Sequence, residues 1–285
     1  MDEAGEHDVA DASDPRLIPG IYNYCDSRCE QCAFTDRCLT FRQMRDEEMR
    51  HPDEDVLQSI GRNFARTFEL LRDWCEREGI DFEQVRAEAR SESAAVASAR
   101  VDAAIEADPL HEMAFAYTKA AVSLVSSLEA LAPFHEWPPS VREALATIGW
   151  YAGMVAAKID RSLDGVARMD RTGLDEDPIQ NDWNGSAKVA HLAIAEWQRA
   201  WDTLLLVGQA PPDARLRQTR QLLDQIDEGL ARRFPHAVDF VRPGFDEPEI
   251  AAGALSTLEC DEPRRRARGV RAWLQRIAGG WQRRS

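Results

Sequence analysis

The chain of 285 residues is poor in lysine: Lys119, Lys158 and Lys188 are the only three among 35 basic residues, the rest being arginine. That bias, with abundant alanine, fits a GC-rich coding sequence and makes each remaining lysine conspicuous. No stretch of about 18 uncharged apolar residues occurs, which excludes a membrane-spanning helix on hydropathy. The first residues, MDEAGEHDVADASDP, lack an apolar core, so they do not read as a signal peptide, and the expected compartment is the cytoplasm. Alternation of polar and apolar residues is nearly absent; Val238-Asp239-Phe240 is its one short trace. No fixed-period repeat appears, which excludes a repeat solenoid. Positive charge is also in deficit, with 35 Lys and Arg against 50 Asp and Glu and a net charge of −15, so the surface as a whole is not built to coat nucleic acid or an anionic membrane.

What the sequence does have is helical periodicity. Leu57, Ile60, Phe64, Phe68, Leu71 and Cys75 recur at steps of three or four, which predicts an amphipathic helix with its stop at Gly79. Further helices are expected over about 82–107, from Pro109 (capped by Asp108) to about 131, over 140–170, from Ser186 to Gly208, and over 213–233. Residues 171–185 read as a loop. The expected fold is all-α, a bundle of about six main helices. The expected organisation is an acidic disordered tail at 1–20, a four-cysteine segment at 21–45, the bundle at 54–260, and a basic amphipathic helix at 261–285.

The most specific motif is GIYNYCDSRCEQCAFTDRC, in which Cys25, Cys29, Cys32 and Cys38 fall within 14 residues as C-x3-C-x2-C-x5-C. Thiolates are soft ligands suited to zinc or iron–sulfur centres, and four so close together surround one centre at little cost in loop entropy. In a reducing compartment such a cluster points to metal rather than to disulfides. Structural zinc sites usually pair two short knuckles across a longer span, whereas this compact spacing is closer to iron–sulfur loops. Four thiolates would fill every ligand position, which favours electron transfer, sensing or structure over Lewis-acid catalysis. The other two thiols differ: Cys75 lies on an apolar stripe and reads as buried, and nothing marks Cys260 as reactive.

The ten residues from Cys29 to Cys38 resemble the C-x2-C-x5-C portion of WhiB-like iron–sulfur proteins. In that family four cysteines bind a [4Fe–4S] cluster in oxygen- or nitric-oxide-responsive gene regulation. The chain departs from the family in placing Cys25 only four residues before Cys29 and in lacking the glycine-rich tryptophan turn after the cluster. The resemblance therefore implies the cluster type and not the regulatory role. Tyr22, Tyr24 and Phe34 are expected to shield such a centre.

Two weaker features remain. Lys158 and Arg161 share one helical face, as do Lys188 and His191 on the next helix, and a helix N-terminus near Asp182-Trp183-Asn184-Gly185-Ser186 lies close by. Together they suggest a site for an anionic ligand walled by Trp150, Tyr151 and Trp183. Residues 261–285 carry eight arginines against Asp261 and Glu262, a net +6 that leaves −21 on the rest. This segment suits an acidic partner, a nucleic acid, or the protein's own acidic body. Three functions are thus expected from sequence: an iron–sulfur protein in redox transfer or sensing with a redox or protein partner, a zinc-stapled helical adaptor, or an enzyme with an anionic-ligand pocket.

Overall fold

The computed structural model describes residues 14–130, 137–172, 177–206 and 214–247. The acidic residues before Asp14 and the arginine-rich segment 261–285, with Cys260, lie outside the described residues. Among the described residues all regular structure is helical: α1 Leu39–Arg50, α2 Val56–Glu78, α3 Phe82–Ala89, α4 Glu92–Glu106, α5 Pro109–Glu129, α6 Pro139–Thr172, α7 Asp182–Leu206 and α8 Ala214–Arg233. Short 3-10 turns cover Ile21–Asn23, Cys29–Gln31, Thr35–Arg37 and Ala237–Asp239, the last taking in the Val238 alternation. None of the described helices is long and apolar enough to cross a membrane.

The caps explain most of the boundaries. Asp55 accepts from the Leu57 and Gln58 amides and completes a capping box with Gln58, while Gly79 ends α2 in the left-handed conformation at φ 69°. Asp108 caps α5 ahead of Pro109, as expected. Two boundaries differ from the sequence reading. The helix expected over 82–107 breaks at Ser91, whose hydroxyl donates to the Glu88 carbonyl and accepts from the Ala94 amide, replacing helix bonds with local ones. α7 begins at Asp182 and not at Ser186, because the Asn181 side chain accepts from the Asn184 amide and caps the helix four residues early.

The chain divides into two compact units. The first comprises residues up to Pro19 and Thr35–Ala104. Its start corrects the expectation of a tail running through residue 20. Leu17 and Ile18 are buried. The Ile18 amide donates to the Arg37 carbonyl at 3.0 Å, Arg37 Nε donates to the Arg16 carbonyl, and Arg42 pairs with Asp14 at 2.8 Å. On α2, Cys75 is buried as expected, but the rest of the apolar stripe faces outward: Leu57 is 80% exposed and Phe64 63%.

The second unit, Gly20–Phe34 with Ile105 onward, holds the main core. α6 lies against α5 and α7, and α8 lies against α5 and α7. Ile148, Val155 and Ile159 of α6 meet Ile194, Trp197 and Trp201 of α7, with Tyr117 of α5 and Leu223, Ile226 and Leu230 of α8. The large polar atoms inside this core are satisfied: Trp197 Nε1 donates to the Ile148 carbonyl at 3.1 Å and Trp201 Nε1 to Tyr117 Oη at 2.7 Å. Burial, only partly offset by that hydrogen bond, holds the Tyr117 phenol protonated far above its usual range.

Candidate metal centre

The cysteine loop is fastened to the second unit by side chains of α6 and α7. Lys158 Nζ donates to the Asn23 carbonyl at 2.7 Å. Trp150 Nε1 donates to the Asp26 carbonyl at 3.0 Å, and the neighbouring Tyr151 hydroxyl donates to Asp26 Oδ2 at 2.9 Å. Tyr24 Oη donates to Asp182 Oδ1 at 3.0 Å, and the same carboxylate takes a two-pronged contact from Arg161 at 2.8 and 2.6 Å. The Tyr24 ring packs on Phe240 at 4.7 Å, and Phe34, which is buried, meets Phe245 edge-on at 5.0 Å. Tyr22 is 41% exposed. Tyr24 and Phe34 therefore anchor the loop, and Tyr22 does not.

Within the loop, Ser27 turns the chain in the left-handed region at φ 58°, a conformation uncommon for a residue with a side chain. Asp26 Oδ1 accepts from the Arg28 amide across that turn at 3.2 Å, and Cys29–Gln31 then forms a single 3-10 turn. Cys25, Cys29 and Cys32 lie in this unit, while Cys38 precedes α1 in the first unit. All four are free thiols and half-buried. The Cys25 thiol donates to the Tyr22 carbonyl at 3.5 Å, and the Phe34 amide donates to Cys32 Sγ at 3.4 Å. An amide aimed at sulfur stabilises a thiolate and is one of the means by which a protein tunes a cluster. The donor set thus fits a thiolate-ligated centre in chemistry. Among the described residues no three His, Cys, Asp or Glu side chains are gathered around one point that could hold a metal ion.

The residues expected to form an anion pocket are engaged elsewhere. Lys158 and Arg161 face the cysteine loop and Asp182, as above. Lys188 pairs with Asp246 at 2.9 Å and donates to the carbonyls of Val238 and Phe240, so it ties down the return after α8. His191 Nδ1 meets Asp227 Oδ1 at 2.7 Å, and its Nε2 is buried without a hydrogen-bond partner. Trp150 and Tyr151 bind Asp26, and Trp183 packs where Gly165 leaves room. Each cation therefore already has an anionic or carbonyl partner, and little field is left for an incoming anion.

Two pKa shifts follow from this network. Burial, reinforced by the Asp26 charge, pushes the Tyr151 phenol well above its usual range. Burial pulls the Lys158 amine down from its usual value, against the opposing pull of Cys25. The sequence reading missed Asp26, Asp182 and Tyr151 as loop anchors. The signal was slight: an acid beside Cys25 and an acid at a helix start.

No family model matches the chain, and no curated protein or solved structure matches it either. No relative supplies a role for these residues.

Proposed function

We propose that this is an iron–sulfur protein of the cytoplasm, used for redox transfer or redox sensing, with Cys25, Cys29, Cys32 and Cys38 as the ligands of the cluster. The observation that carries this reading is the set of four unlinked, half-buried thiols within 14 residues, on a loop whose backbone is fastened to α6 at Asn23 and Asp26. Bound there, a [4Fe–4S] cluster would supply one-electron chemistry.

The protein's own part is to hold the loop in one conformation and to set its surroundings. Trp150, Tyr151 and Lys158 bond the backbone and side chain of Asn23–Asp26, so little loop freedom remains to be lost on binding. Phe34 against Phe245 gives that end of the loop an apolar footing that excludes water. The Phe34 amide bonds the Cys32 sulfur and favours its ionised form, the form that ligates.

The test is metal and sulfide content with a visible spectrum, on protein purified without oxygen. About four irons and four sulfides per chain, with a broad band near ~400 nm, are expected. Cys32→Ala should remove the colour, and unchanged iron in that variant overturns the assignment. The outward apolar stripe of α2 favours a second reading, a zinc-stapled helical adaptor that binds a partner. One zinc per chain and no colour would select it.

A further inference from the structure

Lys158 is one of three lysines in the chain and the only charged side chain that bonds the backbone of the cysteine loop from α6. Its amine donates to the Asn23 carbonyl, two residues before Cys25, at 2.7 Å. The side chain is half-buried, so its charge is less screened than an exposed lysine's would be. The charges around it are unequal in effect. Arg161 and Asp182 form a tight two-pronged pair that largely cancels at a distance. Asp26 stands on the same loop, next to Cys25, and accepts from Tyr151. Arg28 lies over the Tyr151 ring at 5.8 Å. Lys158 and Cys25 interact electrostatically.

We propose that Lys158 is a positioning residue of the cysteine centre that also sets its reduction potential, by pinning the Asn23 carbonyl and fixing a positive charge two residues from Cys25. This rests on the reading of the four cysteines as ligands of an iron–sulfur cluster. The physical argument is one of sign. Each electron accepted makes such a cluster more negative, and a fixed cation stabilises that reduced state more than the oxidised one. Lys158 therefore raises the potential, and the Asp26 carboxylate, on the same loop, lowers it. A neutral donor at 158 would keep the bond to Asn23 and lose the charge, while an arginine would keep the charge.

The experiment uses the full chain, purified without oxygen, as wild type, Lys158→Gln, Lys158→Arg and Asp26→Asn. Iron and sulfide content are measured first, then the midpoint potential by mediated redox titration. At the wild-type midpoint, Lys158→Gln is expected to show a reduced-to-oxidised ratio about tenfold lower, Lys158→Arg a ratio near wild type, and Asp26→Asn a higher one. Loss of iron from Lys158→Gln but not from Lys158→Arg supports the anchoring role. Equal behaviour of the Gln and Arg variants, in iron content and in midpoint, overturns the proposal, because charge and anchoring would then both be irrelevant. A colourless, zinc-bound wild type overturns the iron–sulfur reading itself, and does so before any variant is made.

Discussion

Gly185 lies in the first turn of α7 beneath the Tyr24 ring, where an added Cβ would come to 2.6 Å from Tyr24 Cδ1 and 2.7 Å from Phe240 Cζ. Neither ring has room to move, since Tyr24 is also held through its hydroxyl by Asp182. Gly185→Ala is expected to cost about 1–3 kcal/mol by overpacking, read as a lower urea midpoint, and to free the cysteine loop for proteolysis. Asp246 is the other residue with a defined consequence. Burial raises its carboxyl, but hydrogen bonds from Arg242 and Lys188 outweigh burial and hold it down at about 2. A carboxyl lowered on folding stabilises the folded form above its unfolded value of about 3.9 and loses that contribution as pH falls toward the folded value. Urea midpoints measured from pH 5 to pH 2 should therefore fall more steeply in wild type than in Asp246→Asn. Equal slopes would show that the Lys188–Arg242–Asp246 cluster contributes nothing.

At the scale of the element, α2 and α6 make a contrast. Both carry helical apolar spacing, and from sequence both promise a buried face. α6 buries it, with Ile148 and Ile159 fully enclosed, while on α2 Leu57, Ile60, Phe64 and Phe68 are all exposed. Periodicity says that a helix has an apolar side. It does not say what covers that side. Ile159→Ala should cost about 2–5 kcal/mol in equilibrium unfolding. Phe64→Ser should change the same quantity by no more than about 0.5 kcal/mol. A large loss from Phe64→Ser would mean that its ring is covered in the folded protein.

For the whole molecule, the division into two compact units predicts more than one thermal transition, since compact units with separate cores need not unfold together. Trp150, Trp183, Trp197 and Trp201 all belong to the second unit, so tryptophan fluorescence reports mainly on it. Bound metal stabilises whatever folded unit it engages, by about 2.7 kcal/mol when free metal stands at 100 times its Kd. Iron loading should raise the temperature of the fluorescence transition and a chelator should lower it. A transition that stays in place under both treatments would detach the cysteine loop from the stability of the bundle.

The amino-acid order by itself determined the all-helical class, most helix boundaries and the cysteine spacing, because these depend on interactions between near neighbours. Asp55 with Gln58, Gly79, Asp108 before Pro109 and the C-x3-C-x2-C-x5-C run act within a few residues of chain. Ser91 and Asn181 act equally locally, but their side chains had two possible uses, and only the folded chain shows which bond each makes. Where the lysines point was decided by tertiary structure. Lys158 meets Asn23 across 135 positions and Lys188 meets Phe240 across 52. Such pairings depend on which helices pack together and at what angle, which no local pattern encodes. The same reason turned an expected anion pocket into the fastening of the cysteine loop and the return after α8.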